Sequence, residues 1–181
     1  MMSLDIYLSY LNTEDYQKIK DTIKPQTTRV MPLLSWDLYS EHYFNISKTF
    51  KRTRDILEVK SLAEKWNWRN NIDAIFKDQS FEALIITNAE RHILWVNDGF
   101  TEMTGYSKKY ALQKVPGFLQ GPSTCEKTRM RFREKLKANK PFTEVITNYK
   151  KDHTPYTCEV KIFPLYDYDT THFLALEKQV V

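Results

Sequence analysis

The sequence predicts an α+β fold. A helical N-terminal extension over residues 1–80 precedes a five-stranded antiparallel sheet with helices on one face, over residues 81–181. Three observations carry this reading. All four glycines, Gly99, Gly105, Gly117 and Gly121, fall in one 23-residue stretch. Helices avoid glycine and tight turns use it, so the glycine-free first part reads as helical and tight turns begin near residue 99. The apolar period also changes near residue 80, from helical spacing to short strand-like runs. Finally, polar turn clusters punctuate the second half at strand-length intervals.

Taken in order, Leu4, Tyr7, Leu8 and Leu11 recur at helical spacing. Asn12 or Thr13 caps a second helix through Thr22, with Glu14 and Asp15 in its first turn, where acid suits the helix dipole. Pro25 ends it, and Pro25 to Pro32 reads as a loop. Trp36 to Tyr43 forms a short helix. Ser47 caps a longer one with Phe50, Ile56, Leu57, Leu62 and Trp66 on its apolar side. Ile72, Ile75 and Phe76 stripe another, ending near Asp78. Phe81–Thr87 and His92–Asn97 are two apolar runs around the turn Asn88–Arg91, a hairpin. Phe100 and Met103 mark one or two helical turns over Asp98–Thr104. Ser107 caps a short helix through Gln113, and Ser123 or Thr124 caps a longer one over Cys125–Ala138. Phe142–Tyr149, Thr157–Tyr166 and Thr171–Gln179 complete the sheet.

Composition narrows the function. The chain has 181 residues, 41% hydrophobic and 28% charged, with a mean hydropathy of −0.56. This is a globular composition, not a disordered one. The longest apolar runs are four residues, such as Ile93–Val96, and a membrane helix needs about 18. The first residues lack a basic segment followed by an apolar one, which points away from secretion and toward the cytoplasm. Two cysteines, Cys125 and Cys158, are too few for a disulfide framework, and no Cys/His spacing suits zinc. No G-x-S-x-G, P-loop or H-E-x-x-H motif occurs, so no enzyme signature is present.

Three motifs in order resemble a family. Trp95-Val96-Asn97-Asp98-Gly99-Phe100 with Met103-Thr104-Gly105-Tyr106-Ser107, then Phe118-Leu119-Gln120-Gly121-Pro122-Ser123-Thr124, then Asn148-Tyr149-Lys150-Lys151-Asp152-His153-Thr154-Pro155-Tyr156 are similar to those of PAS domains. They resemble most the light-oxygen-voltage (LOV) branch. The resemblance covers residues 81–179 and implies the PAS fold and a role in signal transduction. LOV domains hold a flavin, to which light joins a cysteine two residues before the Phe of F-L-Q-G. That position is Pro116 here. The resemblance places Val115 and Gly117 where the family has Asn and Arg, and Cys158 and Glu177 where it has Asn and Gln. Gln120, Arg133 and Asn148 keep flavin-type identities. With five positions lost and three kept, flavin is disfavoured as cofactor, and Glu177 marks an altered pocket. Haem is disfavoured too, because an axial histidine is wanted in or just before the long helix and none of His42, His92, His153 and His172 lies there.

The expectation is therefore a cytoplasmic PAS sensor or interaction module, without enzymatic activity and without a cysteine adduct. Its partner is a protein or a small-molecule ligand that the sequence does not identify, and a homodimer is the expected assembly. Trp36, Trp66 and Trp68 suit such an interface. One alternative is a degenerate flavin photoreceptor or redox sensor acting without an adduct. A second is a nucleic-acid-associated regulator using the basic helix 125–140, which carries seven Lys/Arg against two Glu. There Lys127, Arg131 and Lys135 form one solvated stripe, with Phe132 and Leu136 on the buried side. The strands Phe81–Thr87 and Thr171–Gln179 are nearly continuous apolar runs, so both sheet faces should be covered, the outer one by the N-terminal helices.

Overall fold

A computed structural model describes residues 13–20 and 34–180. The chain divides into two compact units, Met1–Thr49 and Phe50–Val181. The expected helix at Leu4–Leu11, the candidate cap Asn12 and the loop Pro25–Pro32 lie outside the described residues. In the first unit α1 spans Thr13–Lys20. Helix α2 spans Leu34–Lys65, and its residues from Phe50 onward belong to the second unit.

Helix α2 corrects the expectation of a break and a new cap at Ser47. Its 32 residues contain neither Gly nor Pro, so nothing interrupts the hydrogen-bond ladder. Phe50 and Leu57, expected on its apolar side, are exposed. Among the described side chains of α2, Asp55, Val59 and Ala63 are the buried ones. Helix α3, Ile72–Phe76, starts as expected, capped by Asn71, whose side chain accepts from the Ala74 amide at 3.0 Å.

The sheet comprises β1 (Ala83–Asn88), β2 (Ile93–Val96), β3 (Phe142–Tyr149), β4 (Pro155–Tyr166) and β5 (Thr170–Val180). Its order is β2-β1-β5-β4-β3 and every pairing is antiparallel. The first and last strands in sequence thus meet at the centre. Between β2 and β3 lie α4 (Asp98–Thr104), α5 (Lys108–Ala111), a 3-10 turn (Pro116–Leu119) and α6 (Glu126–Lys137). Tight turns do not wait for residue 99. The β1–β2 turn is built without glycine, with Arg91 at φ 71°. The expected cap of α6 is also corrected. Its first flanking residue is Cys125, with no side-chain cap, because Thr124 is engaged elsewhere.

Alternation along the central strands separates two cores. Ala83 and Ile85 of β1, Phe173 and Ala175 of β5, and Tyr156, Cys158, Val160 and Ile162 of β4 face inward beneath α4–α6. Leu84, Ile86, Leu174, Leu176 and Leu165 face outward and pack against Val59, Ala63, Trp68, Ile72 and Phe76. Burying such side chains stabilises by about 1.5–3 kcal/mol each. Trp66 stacks on His172, and the Trp68 indole donates to His172 Nδ1 at 3.0 Å. These two tryptophans, expected at a partner interface, are spent inside the chain.

Asn97 joins the layers. Its Oδ1 accepts from the amides of Leu84 (2.9 Å) and Phe100 (3.0 Å), and its Nδ2 donates to the buried Asp55 of α2 (2.6 Å). One asparagine thereby caps α4 and ties it to β1 and α2. Gly99 has a steric cause: a Cβ there would lie 1.8 Å from the Glu82 carbonyl oxygen.

Candidate functional site

Beneath α6, the inner face of the sheet leaves a cavity of about 190 Å³. This is room for on the order of a dozen water-sized groups. Its walls are apolar: Ile85, Leu119, Phe132, Leu136, Ile146 and Val160 among them. Its polar lining is Thr87, Gln120, Asn148 and Glu177, with Arg91, Arg129 and Arg133.

The loop before α6 forms one side, locked to β3. The Gly121 amide donates to Thr124 Oγ1 at 3.0 Å, and that hydroxyl donates to the Thr147 carbonyl at 2.6 Å. The Ser123 amide donates to the Tyr149 hydroxyl at 2.8 Å. The Tyr149 ring lies where a Cβ on Gly121 would be, 2.5 Å away, so only glycine lets the loop come this close. Arg129 braces the loop by donating to the Gly121 carbonyl at 3.1 Å. The Lys151 amide donates to the Thr104 carbonyl at 2.9 Å, and His153 takes the left-handed conformation at φ 66° in the β3–β4 turn. The three sequence motifs are thus joined by hydrogen bonds, and much of their identity is architectural.

All the predicted site residues meet at the cavity. Gln120 and the buried Asn148 line it, exposed Arg133 stands on α6 at its mouth, and Glu177 lies deep within it. Val115, Pro116 and Gly117 line it as well. Cys125 is exposed and not among the lining residues. Cys158 is buried on the inner face, two residues from the lining Val160. Among the described residues, no histidine lines the cavity. Among the described residues, no cluster of His, Cys, Asp and Glu could hold a metal ion, and no helix is long and apolar enough to cross a membrane.

Three lining groups escaped the sequence reading. Arg129 precedes Arg133 by one helical turn, so the α6 periodicity could have found it. Thr87 follows from the alternation of β1 past Ile85. Arg91 comes from the left-handed turn residue of the β1–β2 hairpin, and no sequence signal aims it.

The electrostatics are uneven. Glu177 is 4% exposed and, among the described residues, its Oε2 has no hydrogen-bond partner. Burial alone pushes its carboxyl up to about 7. Burial, and then the nearby Glu177, also push the Tyr156 hydroxyl and the Cys158 thiol upward. On the basic helix, Lys135 contacts Glu144 at 2.8 Å and Arg131 the same carboxyl at 3.6 Å. The Lys135 hydrogen bond holds Glu144 below the usual carboxylate range. At the rim a more open depression shares Arg91, Val115, Arg133, Leu136 and Phe173 with the cavity and adds Lys137. Acid is thus deep and base outermost.

The chain is similar to known proteins in sequence and in fold. The chain is 33% identical over 114 residues to a blue-light photoreceptor of Listeria monocytogenes, covering 60% of this chain and 45% of that one. It is 32% identical to the bacterioopsin transcriptional activator of Halobacterium salinarum, over 52% of this chain and 14% of that one. The chain spans less than half the length of these relatives. Among solved structures, the PAS domain of the fruit-fly ELK potassium channel is similar with a TM-score of 0.53 and 28% identity, covering 62% of this chain and 98% of that one. The LOV domain of a blue-light activated histidine kinase from Erythrobacter litoralis is similar with a TM-score of 0.52 and 25% identity, over 56% of this chain and 97% of that one. A PAS domain family model matches residues 82–177, more than half of the chain. With its five-stranded antiparallel sheet and its inserted helices, the chain belongs to the PAS domain family, as a sensor domain of LOV-like type.

Proposed function

We propose that this chain is a ligand-binding signalling module of the cytoplasm that holds a small molecule in the cavity beneath α6, without forming a cysteine adduct and without catalysing a reaction. The observation that carries the reading is the cavity itself. It is walled by apolar side chains and holds a few convergent polar groups, two of which, Arg129 Nε and Glu177 Oε2, are buried without a partner among the described residues, which is the usual make-up of a ligand site. The two cysteines are unpaired, which suits a reducing compartment.

The residues do not fit a flavin of the LOV kind. Pro116 lines the cavity where the resemblance places the reactive thiol, and proline supplies none. Cys158 is no replacement, because burial keeps its thiol protonated and the thiolate is the reactive form. In its charged form the Glu177 carboxyl would set an acceptor against a ring edge rich in acceptors. No step is therefore routed through a flavin. The nucleic-acid reading is weakened because two cations of the basic stripe are committed to Glu144.

The signal leaves through a second copy of the chain. In the second unit, helix α2 exposes Phe50 and Leu57 seven residues apart, 71% and 59% exposed. That spacing puts large apolar groups on one face of a helix, as paired helices require.

Indole tests the cavity. Titrated into the full chain and followed by amide NMR, it should shift residues of β1, β4, β5 and α6 that line the cavity. Shifts scattered over the surface, or none, would overturn the reading.

A further inference from the structure

We infer that the cavity takes a bipolar aromatic ligand: a flat ring whose N–H-rich cationic edge, of amidine or protonated aminoheterocycle type, faces Glu177, and whose anionic tail reaches Arg91 and Arg133 at the mouth. The inference rests on the cavity being the ligand site and names what that site selects.

Four observations support it. Glu177 is buried and its Oε2 is unpartnered, yet it lines an open space. Buried polar groups left without a partner are few in native structures, and each points to something that completes it. The basic side chains that line the cavity do not complete it: Arg129 donates to the Gly121 carbonyl and pairs with Glu126, and Arg91 follows the end of β1 at Asn88, opposite to Ala83, the cross-strand partner of Glu177. Along β5, Glu177 and Phe173 at the rim are four residues apart, roughly 13 Å at strand rise. A ligand bridging that span meets an acceptor at one end and cations at the other.

Neighbouring groups fit the same ligand. Asn148 and Gln120 line the cavity and can each accept from or donate to a ring edge. Phe132, Leu136, Val160 and Ile162 supply apolar walls for a ring. A ligand cation would complete the buried carboxylate with parallel N–H bonds, the geometry that makes carboxylate recognition strong. Exposed Arg133 and Arg91 then attract the tail without costly desolvation.

A matched pair of probes tests this. 4-Amidinobenzoate and 4-carbamoylbenzoate share ring, tail and size, and differ in an amidinium against a neutral amide. Calorimetry on the full chain at pH 7.5 should show the amidine binding at least tenfold tighter. Glu177→Gln should reduce that preference to threefold or less. The double change Arg91→Ala and Arg133→Ala should weaken both probes alike and leave the preference intact. Equal binding of the pair, a preference that survives Glu177→Gln, or no binding of either probe would overturn the inference. Indole separates the two levels. If indole enters the cavity and the amidine shows no preference, the cavity stands and the ligand class falls. If nothing enters, both fall.

Discussion

Replacing Glu177 by glutamine should flatten the pH dependence of folding. The carboxyl sits in the inner core with Tyr156 and Cys158 nearby and Asn148 on the same cavity wall. Burial raises its pKa from 4.5 to about 7. Between these values the folded chain keeps a proton on Glu177 that the unfolded chain releases. Stability from this group is complete below about pH 4.5, falls as the pH rises toward 7, and is level above it. An interval of about 2.5 pH units at roughly 1.4 kcal/mol each gives a loss of about 3.5 kcal/mol. Asp98, Glu144 and Asp152 act in the opposite sense, since hydrogen bonds from Lys108, Lys135 and the Thr154 backbone lower their pKa values and they lose stability only as the pH falls. They are common to both proteins and cancel in the comparison. Urea unfolding at about pH 5 and pH 8 should show the original chain losing some 2–3 kcal/mol more than Glu177→Gln across that range. An equal change in the two proteins would refute the assignment of a partnerless buried carboxyl.

Four further outcomes follow from named contacts. Asn97→Ala strands the Leu84 and Phe100 amides and leaves Asp55 buried without its donor, so it should cost about 3 kcal/mol or more in urea unfolding. Supplying flavin mononucleotide to Pro116→Cys and illuminating it with blue light should give no thioadduct bleaching, because Val115, Cys158 and Glu177 remain; a bleach that recovers in the dark would show that this pocket holds the ring after all. Deleting residues 1–70 removes Val59, Ala63 and Trp68 from the outer face of the sheet, and the fragment should be insoluble or newly oligomeric by size-exclusion chromatography. Phe50→Glu with Leu57→Glu should convert a dimer to a monomer in sedimentation without lowering the melting temperature, since both side chains are exposed.

The sheet was legible because its signals are local. Helix α4 begins and ends where Asn97 and Gly105 allow, and β3 runs over the same residues, Phe142–Tyr149, that read as a strand in the sequence. The cavity was legible in part. Gln120, Arg133, Asn148 and Glu177 stand far apart in sequence, and motif likeness alone gathered them. What failed needed tertiary knowledge. Ser47 is a good cap residue, but a cap forms only where a helix starts, and residues 34–65 hold no breaker. Phe50 and Leu57 fit a helical period as well as Val59 and Ala63 do, and only the packing shows which face meets the sheet. Thr124 was spent on the Thr147 carbonyl and so could not cap α6. Arg91 reaches the cavity from a non-glycine left-handed turn, a geometry that propensity discourages.

Native mass spectrometry of the full chain, isolated from the cells that make it, tests the central claim most directly. The account predicts one small molecule per chain, bound non-covalently, released on denaturation, and lost when Val160→Trp fills the cavity. A flavin joined covalently to a cysteine after blue light, or a ligand still retained by Val160→Trp, would contradict it.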